Sequence, residues 1–367
     1  MQMRKRVLIV IENALDIGGV QNVVMCMVRQ LRASIDFDIV VTNKKKGYYD
    51  EEFLSYGKIH VFERRKKAGF LNLIKDEKST QKEIKKLLLE EKYDAIYCCN
   101  MFNAGVFLKA AKVANVPIRI VHSQVAGPQK IKFYSKILYA VKRKKLVKNA
   151  TDFLAVSQNS ADFLFGRKNK ALVVKNPVFS VDEFVKLDDA CSKDEIRLLH
   201  LGYLSPRKNA MFSIDVLEEL LKLDNRFRLT IAGNGDEGYI QLLRDTIERK
   251  GLGDFIRFIP SLVDVKEELS RHNYLILPSI SEGLPCVLLQ GQVVGAKCFV
   301  SDQVETICDQ GLCSFLPLEK GAAYWAQEVY AYFQSNGGSR KQVDMSEWDA
   351  ATICVKYRNL FEGNGFY

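Results

Sequence analysis

Short runs of β-branched and aromatic residues alternate with longer amphipathic segments along most of this chain, and that alternation leaves few folds open. The strand-like runs are RVLIVI (6–11), FDIVVT (37–42), KIHVF (58–62), AIYCC (95–99), RIVHS (119–123), FLAVS (153–157) and ALVVKN (171–176). Between them lie segments such as VQNVVMCMVRQL and STQKEIKKLLLEE, with apolar residues at helical spacing. Strands separated by helices imply parallel sheets with right-handed crossovers. The pattern then restarts with IRLLHLG (196–202), FRLTIAG (227–233), DFIRFI (254–259), YLILPS (274–279) and KCFVSD (297–302). Helical patterns NAMFSIDVLEELLKL, EGYIQLLRDTIERKG, VKEELSRH and PCVLLQGQVVG fill the gaps. The sequence thus predicts an α/β protein of two tandem Rossmann-like, doubly wound domains facing a cleft. Its expected boundaries are 1–178 for the first domain, 179–195 for a linker without periodicity and 196–345 for the second. A last helix, 346–367, is expected to cross back to the first domain.

The length of 367 residues accommodates two domains, and 47% hydrophobic with 27% charged residues is an ordinary globular balance. No apolar run reaches the 18 residues that a membrane-crossing helix needs. In MQMRKRVLIVIEN the apolar part is only VLIVI, too short for a signal peptide, so a cytoplasmic protein is expected. Nine scattered cysteines without a CxxC pair suggest reduced core thiols rather than disulfides or zinc.

Charge is distributed unevenly. Residues 1–180 hold 34 basic and 16 acidic side chains, whereas the remainder holds 20 and 28. Residues 101–150 contain 11 basic side chains and no acidic one, so the first half is suited to a polyanion.

Open α/β sheets bind ligands at the carboxyl ends of their strands. Four stretches are placed there. ENALDIGGVQN puts Gly18 and Gly19 between a strand and a helix, a placement that suits either a plain turn or backbone N–H groups facing an anion. LGYLSPRKNAM puts Arg207 and Lys208 before a helix, a pairing suited to a diphosphate or to a solvated turn. IAGNGDE carries Gly233 and Gly235, expected donor contacts, but lacks the third glycine of a dinucleotide fingerprint. In YLILPSISEGLPCVLLQ, Glu282 precedes a helix that Pro285 is suited to start, and Gln290 lies about 8 Å further along it. A diphosphate across this helix start would take backbone N–H groups of 283–286, while Glu282 and Gln290 take hydroxyls on either side; a helix-capping Glu282 with a buried, hydrogen-bonded Gln290 is the alternative.

These stretches together resemble the retaining nucleotide-sugar glycosyltransferases of family four, of GT-B fold, above all those that build bacterial capsule and exopolysaccharide. The likeness runs over about residues 4 to 333, through GGVQNVVMCMVRQL, RIVHSQ, SPRKN, IAGNGD and PSISEGLPCVLLQGQVVGAKCFVSD. It implies that Glu282 holds hydroxyls of the transferred sugar and that Gly283, Leu284 and Pro285 lie against the diphosphate. Position 290, normally a second Glu, would bind the ribose. Lys208 would neutralise the leaving diphosphate, with Gly18 and Gly19 approaching from the other domain. His122 would stand near the reacting carbon, and Pro260 and Ser261 would border the base. The chain departs from the pattern at Gln290, at Tyr203 where an Arg is usual, and at Gln124 after His122; Arg207 is placed to replace the missing Arg.

The resemblance implies a retaining reaction in which the leaving phosphate oxygen helps deprotonate the acceptor. No cofactor or metal is expected beyond a donor, UDP- or GDP-linked, since no DxD follows a strand where one would be needed. The basic stretch KIKFYSKILYAVKRKKLVKN sets Lys130, Lys132, Lys136, Lys142, Arg143, Lys144 and Lys145 beside an apolar stripe. Such a segment suits an anionic bilayer, hence a lipid-linked or oligosaccharide acceptor at the inner face of the plasma membrane. Packing of that stripe on the chain's own sheet is the alternative, and nucleic acid is not expected, for want of any RNA-binding motif. Two rival classes remain: a catalytically silent subunit that binds a partner transferase, and another GT-B enzyme such as a UDP-sugar epimerase or a glycogen-type synthase.

Overall fold

The structure, a computed structural model, describes residues 4–63, 70–99, 101–125, 133–185, 194–261, 264–282 and 284–365. Two compact units divide the chain: residues 1–178 with 348–367, and residues 179–347.

The first unit runs β1 (Lys5–Val10), α1 (Gly19–Leu31), β2 (Ile35–Val41), α2 (Asp50–Leu54), β3 (Ile59–Val61) and α3 (Phe70–Glu91). It continues with β4 (Ala95–Cys98), α4 (Ala104–Val113), β5 (Ile118–Ser123), α5 (Phe133–Asn149), β6 (Asp152–Ala155), α6 (Gln158–Phe165) and β7 (Leu172–Val173). The strands form one parallel sheet in the order β3-β2-β1-β4-β5-β6-β7. Side chains alternate across it with a period of two. Val7 and Ile9 of β1 enter one core with α1, while Leu8 and Val10 enter the other with α3 and α4. Burial on both faces is why these strands read as unbroken apolar runs.

The second unit begins with α7 (Val181–Val185), a short helix inside the stretch expected to be an aperiodic linker. It proceeds through β8 (Ile196–Leu201), α8 (Ala210–Leu221), β9 (Phe227–Ala232), α9 (Glu237–Arg249), β10 (Ile256–Ile259), α10 (Val265–Ser270) and β11 (Tyr274–Leu277). Then come α11 (Cys286–Val293), β12 (Lys297–Ser301), β13 (Cys313–Leu316) and α12 (Gly321–Asn336). This sheet is also parallel, in the order β10-β9-β8-β11-β12-β13. Both sheets are thus doubly wound, as the alternation predicts. Strand β13 and helix α12 go beyond the sequence reading. CSFL is a four-residue strand with three half-buried positions, which gives little periodicity to detect.

The last helix, α13 (Ala350–Glu362), packs in the first unit against α1 and β1. Asp349 caps its start by accepting from the Ala351 N–H at 3.0 Å. Its Phe361 ring meets Phe37 and Tyr97 edge-on, at 6.0 and 5.7 Å. Burying such a ring contributes roughly 1.5–3 kcal/mol, so α13 is an integral part of that core.

Candidate active site

In the second sheet the strand order reverses between β8 and β11, and a doubly wound fold opens a crevice at the carboxyl ends of such a pair. Two loops leave there. The loop after β8 carries Arg207 and Lys208, and the loop after β11 carries Glu282. They are stitched together: the Ile280 N–H donates to Arg207 O at 2.9 Å. The Asn209 amide donates to Pro278 O at 3.2 Å. Asn209 itself adopts the left-handed conformation (φ 59°) at the start of α8, a turn its short polar side chain tolerates.

This stitching places both cations on one carboxylate. Lys208 Nζ lies 2.5 Å from Glu282 Oε1, and Arg207 Nη1 lies 3.2 Å from Oε2 while also donating to Ser281 O at 2.8 Å. Lys208 and Glu282 are 11% and 6% exposed at their side chains, whereas Arg207 is 49% exposed. The Lys208 contact is an ion pair that falls outside hydrogen-bond geometry at Oε1. Glu282 therefore keeps capacity to accept from a further donor. Lys208 lies along Gly202, where a Cβ would stand 3.6 Å from its Cε.

Gly233 and Gly235 stand where two loop backbones meet. Leu204 donates to Asn234 O at 2.7 Å, and the Asp236 N–H donates to Leu204 O at 2.9 Å, so segments 202–204 and 233–236 run side by side. A Cβ at Gly233 would stand 2.0 Å from Gly202 O, and one at Gly235 2.3 Å from Leu204 O. Gly233 also has a φ of 134°. Both glycines are required by this close approach of two backbones. Tyr203, half-exposed here, donates its hydroxyl to Asp236 Oδ1 at 2.8 Å.

Leu284 is half-buried and Pro285 buried; Pro285 sits just before α11 in extended conformation rather than in its first turn. Gly283 lies outside the described residues. Gln290 is half-buried on α11. Two positions on, Gln292 is fully buried, donating to Leu288 O and Cys308 O and accepting from the Gln310 N–H. It ties the helix to the segment before β13, a role that sequence reading missed. Pro260 and Ser261 follow β10 at the same edge of the sheet.

Two further buried groups belong to this edge. His200, at the end of β8, is fully buried with Nδ1 2.9 Å from Ser213 Oγ and no partner at Nε2. Burial, reinforced by the Lys208 charge, holds its pKa down to about 3, so the ring is neutral. Ser279 Oγ is likewise buried without a partner.

In the first unit His122 is fully buried on β5, with Nδ1 2.6 Å from Tyr97 Oη and no partner at Nε2. Burial lowers its pKa to about 3, which excludes an imidazolium at neutral pH. Gln124 donates to Cys99 Sγ at 3.3 Å and accepts from Asn176 at 3.5 Å. Gly18 is extended and Gly19 opens α1, where a Cβ would meet nothing within 4 Å. Neither position needs glycine for its backbone.

The basic stretch divides. Lys130 and Lys132 lie outside the described residues, as does the side chain of Lys136. Arg143 donates to Leu164 O and Phe163 O, and Lys145 pairs with Glu77 at 2.5 Å, so both serve the protein itself. Lys142 reaches Asn103 Oδ1 at 3.4 Å. Lys144 is exposed, next to Leu138 and Val141, which are 50% and 63% exposed.

The chain is similar to known glycosyltransferases over most of its length. Residues 17–178 match the family described as Glycosyltransferase Family 4, and residues 186–310 match Glycosyl transferases group 1. A Bacillus subtilis (strain 168) protein assigned as a glycosyltransferase, EpsF, is 24% identical over 343 residues, covering 89% of this chain and 87% of its own. The capsular polysaccharide biosynthesis glycosyltransferase CapH of Staphylococcus aureus is 26% identical over 285 residues, 74% of this chain and 75% of its own. Among solved structures, Anabaena HepE in complex with UDP and glucose superposes with a TM-score of 0.73 at 15% identity, covering 99% of this chain and 96% of that one. At that identity the likeness concerns the GT-B fold.

Proposed function

We propose that this chain, a glycosyltransferase with a family 4 N-terminal half and a group 1 C-terminal half, acts in the assembly of a bacterial surface polysaccharide. It moves a sugar from a nucleoside-diphosphate sugar to a glycan acceptor, with retention at the anomeric carbon. What carries the reading is the buried Glu282 carboxylate held by Lys208 at 2.5 Å and Arg207 at 3.2 Å, at the strand-order reversal of the second sheet. The names of EpsF and CapH and the UDP bound to HepE support the substrate class.

In this mechanism the donor diphosphate enters beside Lys208 and Arg207. Their charge stabilises the leaving diphosphate, and no proton transfer from either is required. Glu282 accepts hydroxyl hydrogen bonds from the sugar with the lone pairs its ion pairs leave open. The leaving phosphate oxygen takes the acceptor's proton on the same face, which gives retention without a protein nucleophile. The residues named supply the positive field themselves, so the reaction is expected to proceed without a metal.

The acceptor side rests on α5. Exposed Leu138 and Val141 beside Lys144 and Lys148 form a wet, partly apolar face suited to an anionic membrane surface and a lipid-linked acceptor. To test the reading, sugar nucleotides are incubated with extracted lipid-linked acceptors, and release of nucleoside diphosphate is followed alongside the anomeric proton coupling of the product. Acceptor-dependent release with a retained anomer is expected. Acceptor-independent conversion of the sugar would replace this reading with an epimerase, and absence of any release with stable capture of a second transferase would replace it with a silent subunit.

A further inference from the structure

The amino-terminal edge of the second sheet, opposite the edge that carries Lys208 and Glu282, holds a cavity of about 470 Å³. Four arginines line it: Arg197 and Arg228 at the starts of β8 and β9, Arg257 on β10 and Arg271 just after α10. They come from separate stretches of chain, and parallel strand order alone gathers them. Their side chains are 34%, 31%, 51% and 44% exposed, so none is sealed in the interior. One carboxylate, Glu195, serves two of them, at 2.9 Å from Arg197 and 3.2 Å from Arg228. Arg257 and Arg271 are held by Glu268 and Glu267 of α10, which fixes where they stand. Asp254 is the other acidic residue in the lining.

The interior of the cavity is built. His272 is buried, with Nε2 2.7 Å from Thr230 Oγ1 and Nδ1 2.5 Å from Glu268 O. Burial disfavours the cationic form of this ring first, the bond to Glu268 O favours it, and Arg197, Arg257 and Arg340 add to the disfavouring side. Two of the lining arginines, Arg197 and Arg257, thus bear on the inner wall of the cavity. Phe255, under the Arg228 guanidinium at 4.9 Å, adds a flat apolar wall.

We infer that this pocket binds a small phosphate-bearing anion, at a site separate from the donor site on the opposite edge of the same sheet. Guanidinium forks match phosphate oxygens in pairs, and the volume falls within the range of small-molecule sites. The inference does not depend on the donor reading.

Gly253 makes a direct test. It lines the cavity, and a Cβ there would meet nothing within 4 Å, so a side chain can be added without removing any contact. The full-length chain with carbon-13 labelled histidines is titrated with inorganic pyrophosphate. Two of its four histidines report on the two edges: His272 on the cavity and His200 on the Lys208 side. A saturable shift of the His272 resonance is expected. It should weaken at least tenfold in Gly253→Asp, which places a carboxylate in the field, and persist in Gly253→Ala. A shift confined to His200, no shift at all, or equal titration of Gly253→Asp and the unaltered chain would overturn the inference.

Discussion

Removing the Lys208 ammonium tests whether the buried ion pair exists as described. Lys208→Met keeps much of the side-chain volume along Gly202 and leaves Glu282, 6% exposed, with Arg207 alone at 3.2 Å. Stripping one partner from a buried pair costs about 3–5 kcal/mol when the survivor is left wholly uncompensated. Arg207 remains but is half-exposed, so we expect a loss of about 2 kcal/mol. Glu282→Gln leaves Lys208 buried without its partner and should cost a similar amount. The double variant has neither orphan charge, so its loss should be well below the sum, with a coupling energy of about 2 kcal/mol. Urea unfolding of the four proteins, followed by tryptophan fluorescence, measures each term; Trp325 and Trp348 are both buried. Additive losses within about 0.5 kcal/mol would refute the pairing and the site built on it.

Other consequences are open to equally direct measurement. Gly233→Ala should destabilise by at least about 2 kcal/mol through its φ of 134° and the clash with Gly202 O, seen as a lowered unfolding midpoint. His200 and His272 have folded pKa values held near 3 and 4, below the unfolded value of about 6.5, so the unfolded chain binds more protons as pH falls between those limits. Stability of the second unit should therefore drop from about pH 6.5 downward, each ring adding up to about 1.4 kcal/mol per pH unit, and His200→Gln should flatten the slope of unfolding free energy between pH 6 and 4. Tyr203→Arg should add a charge-assisted contact and tighten nucleotide binding about tenfold, read by calorimetry; unchanged affinity would place position 203 away from the diphosphate. Leu138→Ser with Val141→Ser should reduce sedimentation with vesicles containing phosphatidylglycerol, and unchanged sedimentation would remove α5 from the membrane-facing role.

Much of the architecture was legible because parallel strands buried on both faces are written as short apolar runs. Leu8 and Val10 on one face and Val7 and Ile9 on the other leave no polar position to obscure β1. The edge strand β13 was not legible, since half its environment is solvent and its side chains are mixed. Within the site, the proximity of Arg207 and Lys208 to a helix start could be read locally. Their pairing with Glu282 could not, because about 75 positions separate them and only the neighbouring of β8 and β11 closes the distance. The glycines of IAGNGDE are also constrained by the backbone of residues 202–204, which is invisible without the bridge between Leu204 and Gly235. Arg143 and Lys145 were indistinguishable from Lys144 in a basic run; their partners Phe163, Leu164 and Glu77 lie on other helices.

Glu282 and Lys208 are proposed to hold the sugar and the diphosphate of a nucleotide-sugar donor. Thermal shift of the purified chain with UDP, GDP, ADP and CMP and their sugar-bearing forms tests it directly. A ligand at about 100 times its dissociation constant should stabilise by about 2.7 kcal/mol. A shift is expected for one nucleotide and its sugar form, with the extra shift from the sugar lost in Glu282→Ala. No shift with any nucleotide, or a sugar-dependent shift that survives Glu282→Ala, would contradict it.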